Sequence, residues 1–400
     1  MKNYDILRLF CQKIYFVGSG NFWYEKGIGD DNSLLYIIYS TILFFMYGSM
    51  TLLEILAALF GEFPEDEKHD SIAFAVSHTV VMIKILSVIL NKRLIRKLNF
   101  DMVRVCKNYE EKSLQDEKYR IIKINVIAYF ATVYGSAICF IGEGLRKMFE
   151  GSHFVTVVTY YPSFEDDSFQ AVLFRIYNTI VLFLMMMTMI VSVDTFTMVN
   201  LIMFKYKIIT LRQYFEKLND DFDKLNETGD TRLAADTLKN GLIEGFKMHV
   251  ELIRILKVID EAFGIVMALQ LCQSSGSAVA LLLQIALSEK LTFVANLKII
   301  FFVFALFFLL GLFLCNAGEI TYQATLLADS IFYCGWHACP AQYKPGGQKI
   351  GQLVLLAYTQ AQKPLVMKAF KMVELTYSTF LLVIKGTYSV FALIYAQSSE

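Results

Sequence analysis

Charge is what this sequence has least of. Only 18% of its 400 residues are charged, against 56% hydrophobic and 14% aromatic, whereas a soluble globular domain carries about 25% charged residues. Lysine plus arginine and aspartate plus glutamate balance at 37 each, so no basic surplus speaks for nucleic-acid binding. Proline is almost as scarce. All five prolines, Pro64, Pro162, Pro340, Pro345 and Pro364, fall outside the long apolar runs, and no Asn-Pro dipeptide occurs. The proline-kinked spans common in G-protein-coupled receptors are therefore missing. There is no nucleophile elbow, phosphate loop or paired metal motif. Neither an enzyme nor a cofactor has residues to stand on. Residues 1–32 mix polar and aromatic side chains without a compact apolar core ahead of a cleavage site, so the first span is expected to act as its own insertion signal.

What the sequence does have is long apolar runs. Windows of about 20 residues place spans at roughly 34–60, 71–91, 123–145, 171–202, 260–287, 292–317 and 374–396. Seven spans put the termini on opposite sides. Of the lysines and arginines, 29 collect in the N-terminal segment and the 92–123, 203–259 and 318–373 connections, and 4 in the alternate connections. The positive-inside rule then predicts a cytoplasmic N-terminus and an extracellular C-terminus. On this topology Cys11, Cys106, Cys334 and Cys339 are cytoplasmic and Cys139, Cys272 and Cys315 lie in spans, which leaves no outer loop with a disulfide partner. The sequon at Asn226 is cytoplasmic and goes unused.

The inner connections carry structure of their own. Apolar residues recur at helical steps over 203–226 (Tyr206, Ile209, Phe215, Leu218, Phe222) and 233–259 (Leu238, Leu242, Phe246, Ile253, Leu256), extending the fourth span and preceding the fifth. Helices are also expected over about 319–332 and 349–362. Helices this long and one-sided are expected to pack into a cytoplasmic anchor layer continuous with the bundle, with helices lying on the membrane surface as the alternative. The group Cys334, Trp336, His337 and Cys339 lacks a second ligand pair for zinc, so a packed aromatic corner ahead of Pro340 is expected in place of a metal site. The organisation is an all-helical polytopic membrane protein: a cytoplasmic segment 1–33, spans one to six over 34–317, an anchor segment 318–373, and a last helix with a short tail over 374–400.

Aromatic and thioether side chains crowd the outer halves of the spans. Phe74, His78 and Met82 in the second, Tyr134 and Ile138 in the third, Tyr177 and Met185 in the fourth, and Phe301 and Phe304 in the sixth are candidates to enclose a small apolar ligand. The same residues could equally pack or face lipid. His78 could orient a ligand oxygen or bond to a neighbour, and Asp194, deep in the fourth span, needs a partner. The acidic stretch Glu62, Glu65, Asp66, Glu67 and Asp70 reads as a solvated outer loop. The last span is unusual because it carries Tyr377, Ser378, Thr379, Lys385, Thr387, Tyr388 and Ser389. Lipid does not suit these groups, so the helix is either buried against neighbours or lines an aqueous path.

From the sixth span onward the residues become specific. The run Cys315, Asn316, Ala317, Gly318, Glu319 through Gln323, then Tyr333, Trp336 and Pro340, then Lys363, Pro364, Leu365, Ala369, Leu375 and Phe380, and finally Lys385 through Phe391 resembles the C-terminal signature of insect odorant receptors. The resemblance implies a tetrameric, odorant-gated, non-selective cation channel in the plasma membrane of a sensory neuron dendrite, needing no G protein. It pairs a tuning subunit with a shared co-receptor. Each subunit would give its last helix to a central pore, the cytoplasmic helices (Tyr333, Trp336 and Pro340 among them) would hold subunits together, and a volatile odorant would bind among the second, third, fourth and sixth spans. Gustatory receptors and the co-receptor carry a glutamine where this chain has Ile394, and the co-receptor's long insertion between the fourth and fifth spans is missing, so the chain is similar to a tuning subunit. On the matching register Phe391 takes the hydrophobic gate position, with Ile394 one turn outward and Lys385, Thr387 and Tyr388 beneath; four such apolar rings wet poorly, and weak conduction alone is expected. A gustatory receptor and a membrane transporter are the rivals, though the transporter's internal repeat and broken helices are not seen.

Overall fold

A computed structural model of the chain describes residues 2–151, 153–287, 293–338 and 347–398. Almost all of it is helix. Helices α1 (Asn3–Phe16), α2 (Leu34–Phe60), α3 (Glu65–Leu90), α4 (Lys92–Arg104) and α5 (Lys112–Phe149) are followed by α6 (Phe169–Met189), which passes through a π-helical turn at Ile190–Asp194 into α7 (Thr195–Glu227). Then come α8 (Thr231–Leu287), α9 (Phe293–Phe332), α10 (Gly347–Ala361), a two-stranded hairpin of β1 (Lys368–Ala369) and β2 (Val373–Glu374), and α11 (Tyr377–Ser398).

Several elements run further than the apolar windows suggest, because amphipathic periodicity continues where hydropathy stops. α9 crosses without a break from the sixth apolar run to Phe332, so the helix expected over 319–332 is the inner end of that span and not a separate element. Among the described residues six helices are long and apolar enough to cross a membrane. The expected fifth span, inside α8, is not among them. Its apolar run is interrupted by Gln270, Ser274, Ser277 and Gln284, all buried, so that its polar groups face protein where partners exist.

α7 is the axis of the molecule. Every residue from Thr195 to Phe204 is buried, because α7 packs against α8, α9 and α5. Below it, Phe215, Leu218 and Phe222 of α7 meet Leu238 and Leu242 of α8 in one contiguous core, which decides for a packed helical layer over surface-bound helices. Removing such side chains from water contributes about 1.5–3 kcal/mol each, a gain unavailable to helices surrounded by hydrocarbon. We call this lysine- and arginine-rich end of the bundle the basic end. The N-terminal segment, mixed polar and aromatic in sequence, closes it: α1 buries Ile6, Leu7, Phe10 and Ile14, and Asn99 and Arg96 of α4 donate to the carbonyls of Phe22 and Asn21, both at 2.9 Å.

The acidic stretch is not a free loop. Glu67 and Asp70 lie on α3, where Glu67 accepts from Lys147 at 3.2 Å and Asp70 from Lys298 at 2.9 Å. These ion pairs tie α3 to α5 and α9 at the end opposite the basic one.

Candidate functional site

Between α3, α5, α6, α8 and α9 lies a cavity of about 120 Å³. Its walls are apolar: Val81 of α3, Val133 and Phe140 of α5, Leu182 and Met185 of α6, and Leu306 of α9. Phe74 stacks on His78 with centroids 5.4 Å apart, and Phe140 meets Phe302 edge-to-face at 5.4 Å. Rigid rings and flexible thioethers give a surface that holds a small molecule by shape and dispersion.

Helix geometry explains why these residues converge. Phe74, His78, Val81 and Lys84 recur at steps of three and four on α3, and Leu182, Met185, Met186 and Met189 do so on α6, so each set shares one face. Of the candidates from sequence, Phe74, His78 and Met185 line the cavity. Met82 is half-buried in the core beside it. Tyr134 stands one layer back, stacked at 5.9 Å on Phe183, which does line the cavity. Ile138, Tyr177, Phe301 and Phe304 point to the outside of the bundle, Ile138 being 64% and Phe304 60% exposed. His78 is occupied: its Nδ1 lies 2.8 Å from the carboxylate of the fully buried Glu54 on α2, which makes it a bundle histidine at the cavity edge.

The polar floor was not foreseen. Lys84, fully buried, donates to Oε1 of Gln270 at 2.5 Å and of Gln273 at 2.8 Å. Tyr129 donates to Oδ2 of Asp194 at 2.5 Å. The π-helical turn ends at Asp194, and such single turns, which widen the helix and re-aim side chains, recur at functional positions. The usable signal was polar, since Lys84, Asp194, Gln270 and Gln273 each interrupt an apolar run and each needs an inward partner.

A second set of sequence candidates sits on α11. This helix leans on α8 and α9, and its approach to α9 requires glycine. A Cβ on Gly318 would stand 3.0 Å from the ring of Tyr377, and one on Gly311 3.3 Å from that of Phe380. Tyr377 also donates to Glu319 at 2.7 Å. The rest of α11 is largely uncovered, with Leu382 at 71% and Tyr388 at 66% exposure. Phe391 is half-buried and stacks on Tyr395 at 6.0 Å, and Ile394 is likewise half-buried. Thr387 and Ser389 donate to backbone carbonyls one turn back, at 2.8 and 3.0 Å, so these hydroxyls do not need water to be satisfied. Lys385 is exposed, and Glu374, the carboxylate just ahead of α11, pairs with Lys368 at 3.7 Å.

Near the basic end Tyr333 is exposed, while Trp336 packs edge-on against Phe332 and donates to its carbonyl at 2.8 Å. That is the expected aromatic corner. Pro340 and Cys339 lie outside the described residues.

The family model described as 7tm Odorant receptor matches residues 66–388. The fold is similar to that of the insect olfactory receptor OR5 from Machilis hrabei, with a TM-score of 0.77 at 14% identity, covering 98% of this chain and 99% of that one. It is similar also to the same receptor in complex with eugenol, with a TM-score of 0.75 at 14% identity over 99% of this chain and 100% of that one. No curated protein sequence matches the chain significantly. A family match over most of the length, on an all-helical multi-pass membrane fold with an apolar cavity between its helices, means that the chain belongs to the 7tm odorant receptor family.

Proposed function

We propose that the chain is the odorant-specific subunit of an odorant-gated cation channel of the plasma membrane, working with a co-receptor subunit around a shared pore. Its basic end lies in the cytoplasm and its C-terminus outside. The observation that carries the ligand half of this proposal is the apolar cavity between α3, α5, α6, α8 and α9, a setting suited to a small volatile molecule. Phe74, His78 and Met185 belong to its wall.

The channel half is supported by the contrast within α11. Its inner end is fastened to α9 at Gly311 and Gly318, and its flanks, uncovered in the single chain, await other subunits and a water path. Phe391 and Ile394 form the apolar constriction, with Lys385, Thr387 and Tyr388 below it. α9 connects the two halves. Phe302, Leu306 and Leu309 line the cavity, and Gly311 and Gly318 follow on the same helix; at 1.5 Å per residue the distance from Phe302 to Gly318 is about 24 Å. A ligand that shifts α9 therefore shifts the root of α11. An odorant that binds the open state better by about 1.4 kcal/mol changes the open-to-closed ratio tenfold. The helices at the basic end, with Tyr333 and Trp336 beside them, would supply the contacts between subunits.

The test is current recording from cells expressing the chain with and without an odorant co-receptor, across a panel of volatile compounds. Odorant-evoked cation current only in the co-expressing cells is expected. Equal current from the chain alone would contradict the subunit assignment, and no current from surface-labelled complexes would contradict the channel itself.

A further inference from the structure

The cavity is apolar on its walls and ionic at its floor, and the floor is incompletely satisfied. Asp194 is 1% exposed and lines the cavity. Its Oδ2 accepts from Tyr129, but its Oδ1 has no hydrogen-bond partner among the described residues. A buried carboxylate oxygen without a donor costs about 1–3 kcal/mol or more, so the arrangement persists only if something else supplies the donor. Lys84 lines the same cavity. Its ammonium carries three N–H donors, of which Gln270 and Gln273 take two. The floor thus offers one free carboxylate lone pair and one ammonium N–H not taken by these two glutamines.

We propose that this receptor selects neutral ligands with a hydroxyl group on a small apolar body, the hydroxyl donating to Asp194 Oδ1 beside Lys84. This rests on the proposal that the cavity is the odorant site. A hydroxyl is the small neutral group that both donates and accepts, so it can answer both open positions at once. An ether or ketone only accepts and leaves Oδ1 without a donor; a hydrocarbon leaves both groups bare; an amine cation brings a second positive charge next to Lys84. The volume limits the body. A cavity of roughly 150 Å³ lined by apolar residues holds benzene, so about 120 Å³ suits a single ring or a short branched chain. A site built to hydrogen-bond a ligand hydroxyl rejects the analogue without it more strongly than a purely apolar pocket distinguishes methyl groups.

Thermal unfolding of the purified full-length chain, titrated with phenol, toluene and anisole, tests this directly, since toluene replaces the hydroxyl with a methyl of similar size and anisole keeps only the acceptor. Apparent affinities follow from the ligand-dependent shift. Phenol should bind at least tenfold more tightly than toluene and anisole, and Asp194→Asn should reduce that ratio to within about twofold of unity while toluene still binds. Equal affinities in the unsubstituted chain, or a ratio that survives Asp194→Asn, would overturn the proposal. The first outcome needs no variant, so misfolding of Asp194→Asn cannot protect it. The same ligands applied in current recordings separate the two claims. A phenol preference without current keeps the site and retires the channel, and current without a hydroxyl preference does the reverse.

Discussion

α7 and α11 are both long helices of a membrane receptor, and their surroundings are opposite. α7 is buried on all sides from Thr195 to Phe204 by its own chain, whereas α11 presents Leu381, Leu382, Val390 and Leu393 to the outside. One is complete within the subunit. The other is largely uncovered in the single chain, as a helix would be that lines a pore shared between subunits on the proposed assembly.

The contrast breaks most readily at its buried end. Phe204→Ala on α7 should destabilise the receptor by about 3–5 kcal/mol and abolish surface delivery in a labelling assay; Leu382→Ala on α11 should leave the thermal stability of the isolated chain unchanged and lower only the fraction of assembled complex. Gly318→Ala comes next. Its methyl meets the Tyr377 ring at 3.0 Å, an overpacking of about 1–3 kcal/mol, and odorant-evoked current should fall while odorant affinity is kept. Phe391→Ala should raise basal leak or alter rectification or permeability, with expression intact; if all three stay at their original values, the gate lies elsewhere. Met185→Ala should reorder the odorants that activate, and Tyr134→Ala should do so more weakly because Tyr134 acts through Phe183. Altered ion selectivity in either variant would count against separate pocket and pore.

The smallest effect concerns pH. Burial of His249 at the basic end lowers its pKa from the ordinary value, so the unfolded chain binds the proton more readily. The stability this confers is present above about pH 6.5, the unperturbed histidine value, and is lost as pH falls below it. His249→Gln should flatten the acid side of the stability profile, read by thermal unfolding between about pH 5.5 and 7.5, one unit either side of that value.

Most of the helices were legible in the sequence, because apolar runs and the three- and four-residue steps of 203–259 record burial directly. The facing of the residues in the membrane was not. Lipid is as apolar as a core, so Ile138, Tyr177, Phe301 and Phe304, on the outer surface, carry the same pattern as Phe302 and Leu306, which line the cavity. Polar residues would have been the better guides. Lys84, Asp194, Gln270 and Gln273, unwelcome in hydrocarbon, all converge on the cavity floor, and they bring in α8, which aromatic content alone left out. At the basic end the gap was different: α1 was missed because residues 3–16 are short and mixed, and their apolar stripe gains meaning only against α4 and the α7 core.

On the proposed function, a ligand in the cavity controls ions passing along α11. The most direct test is a paired measurement of odorant dose–response and reversal potential for Met185→Trp, co-expressed with a co-receptor. With the indole filling the cavity, odorant sensitivity should fall at least tenfold while reversal potential and basal current stay as in the unsubstituted receptor. An unchanged dose–response with tryptophan at position 185 would place the odorant somewhere else.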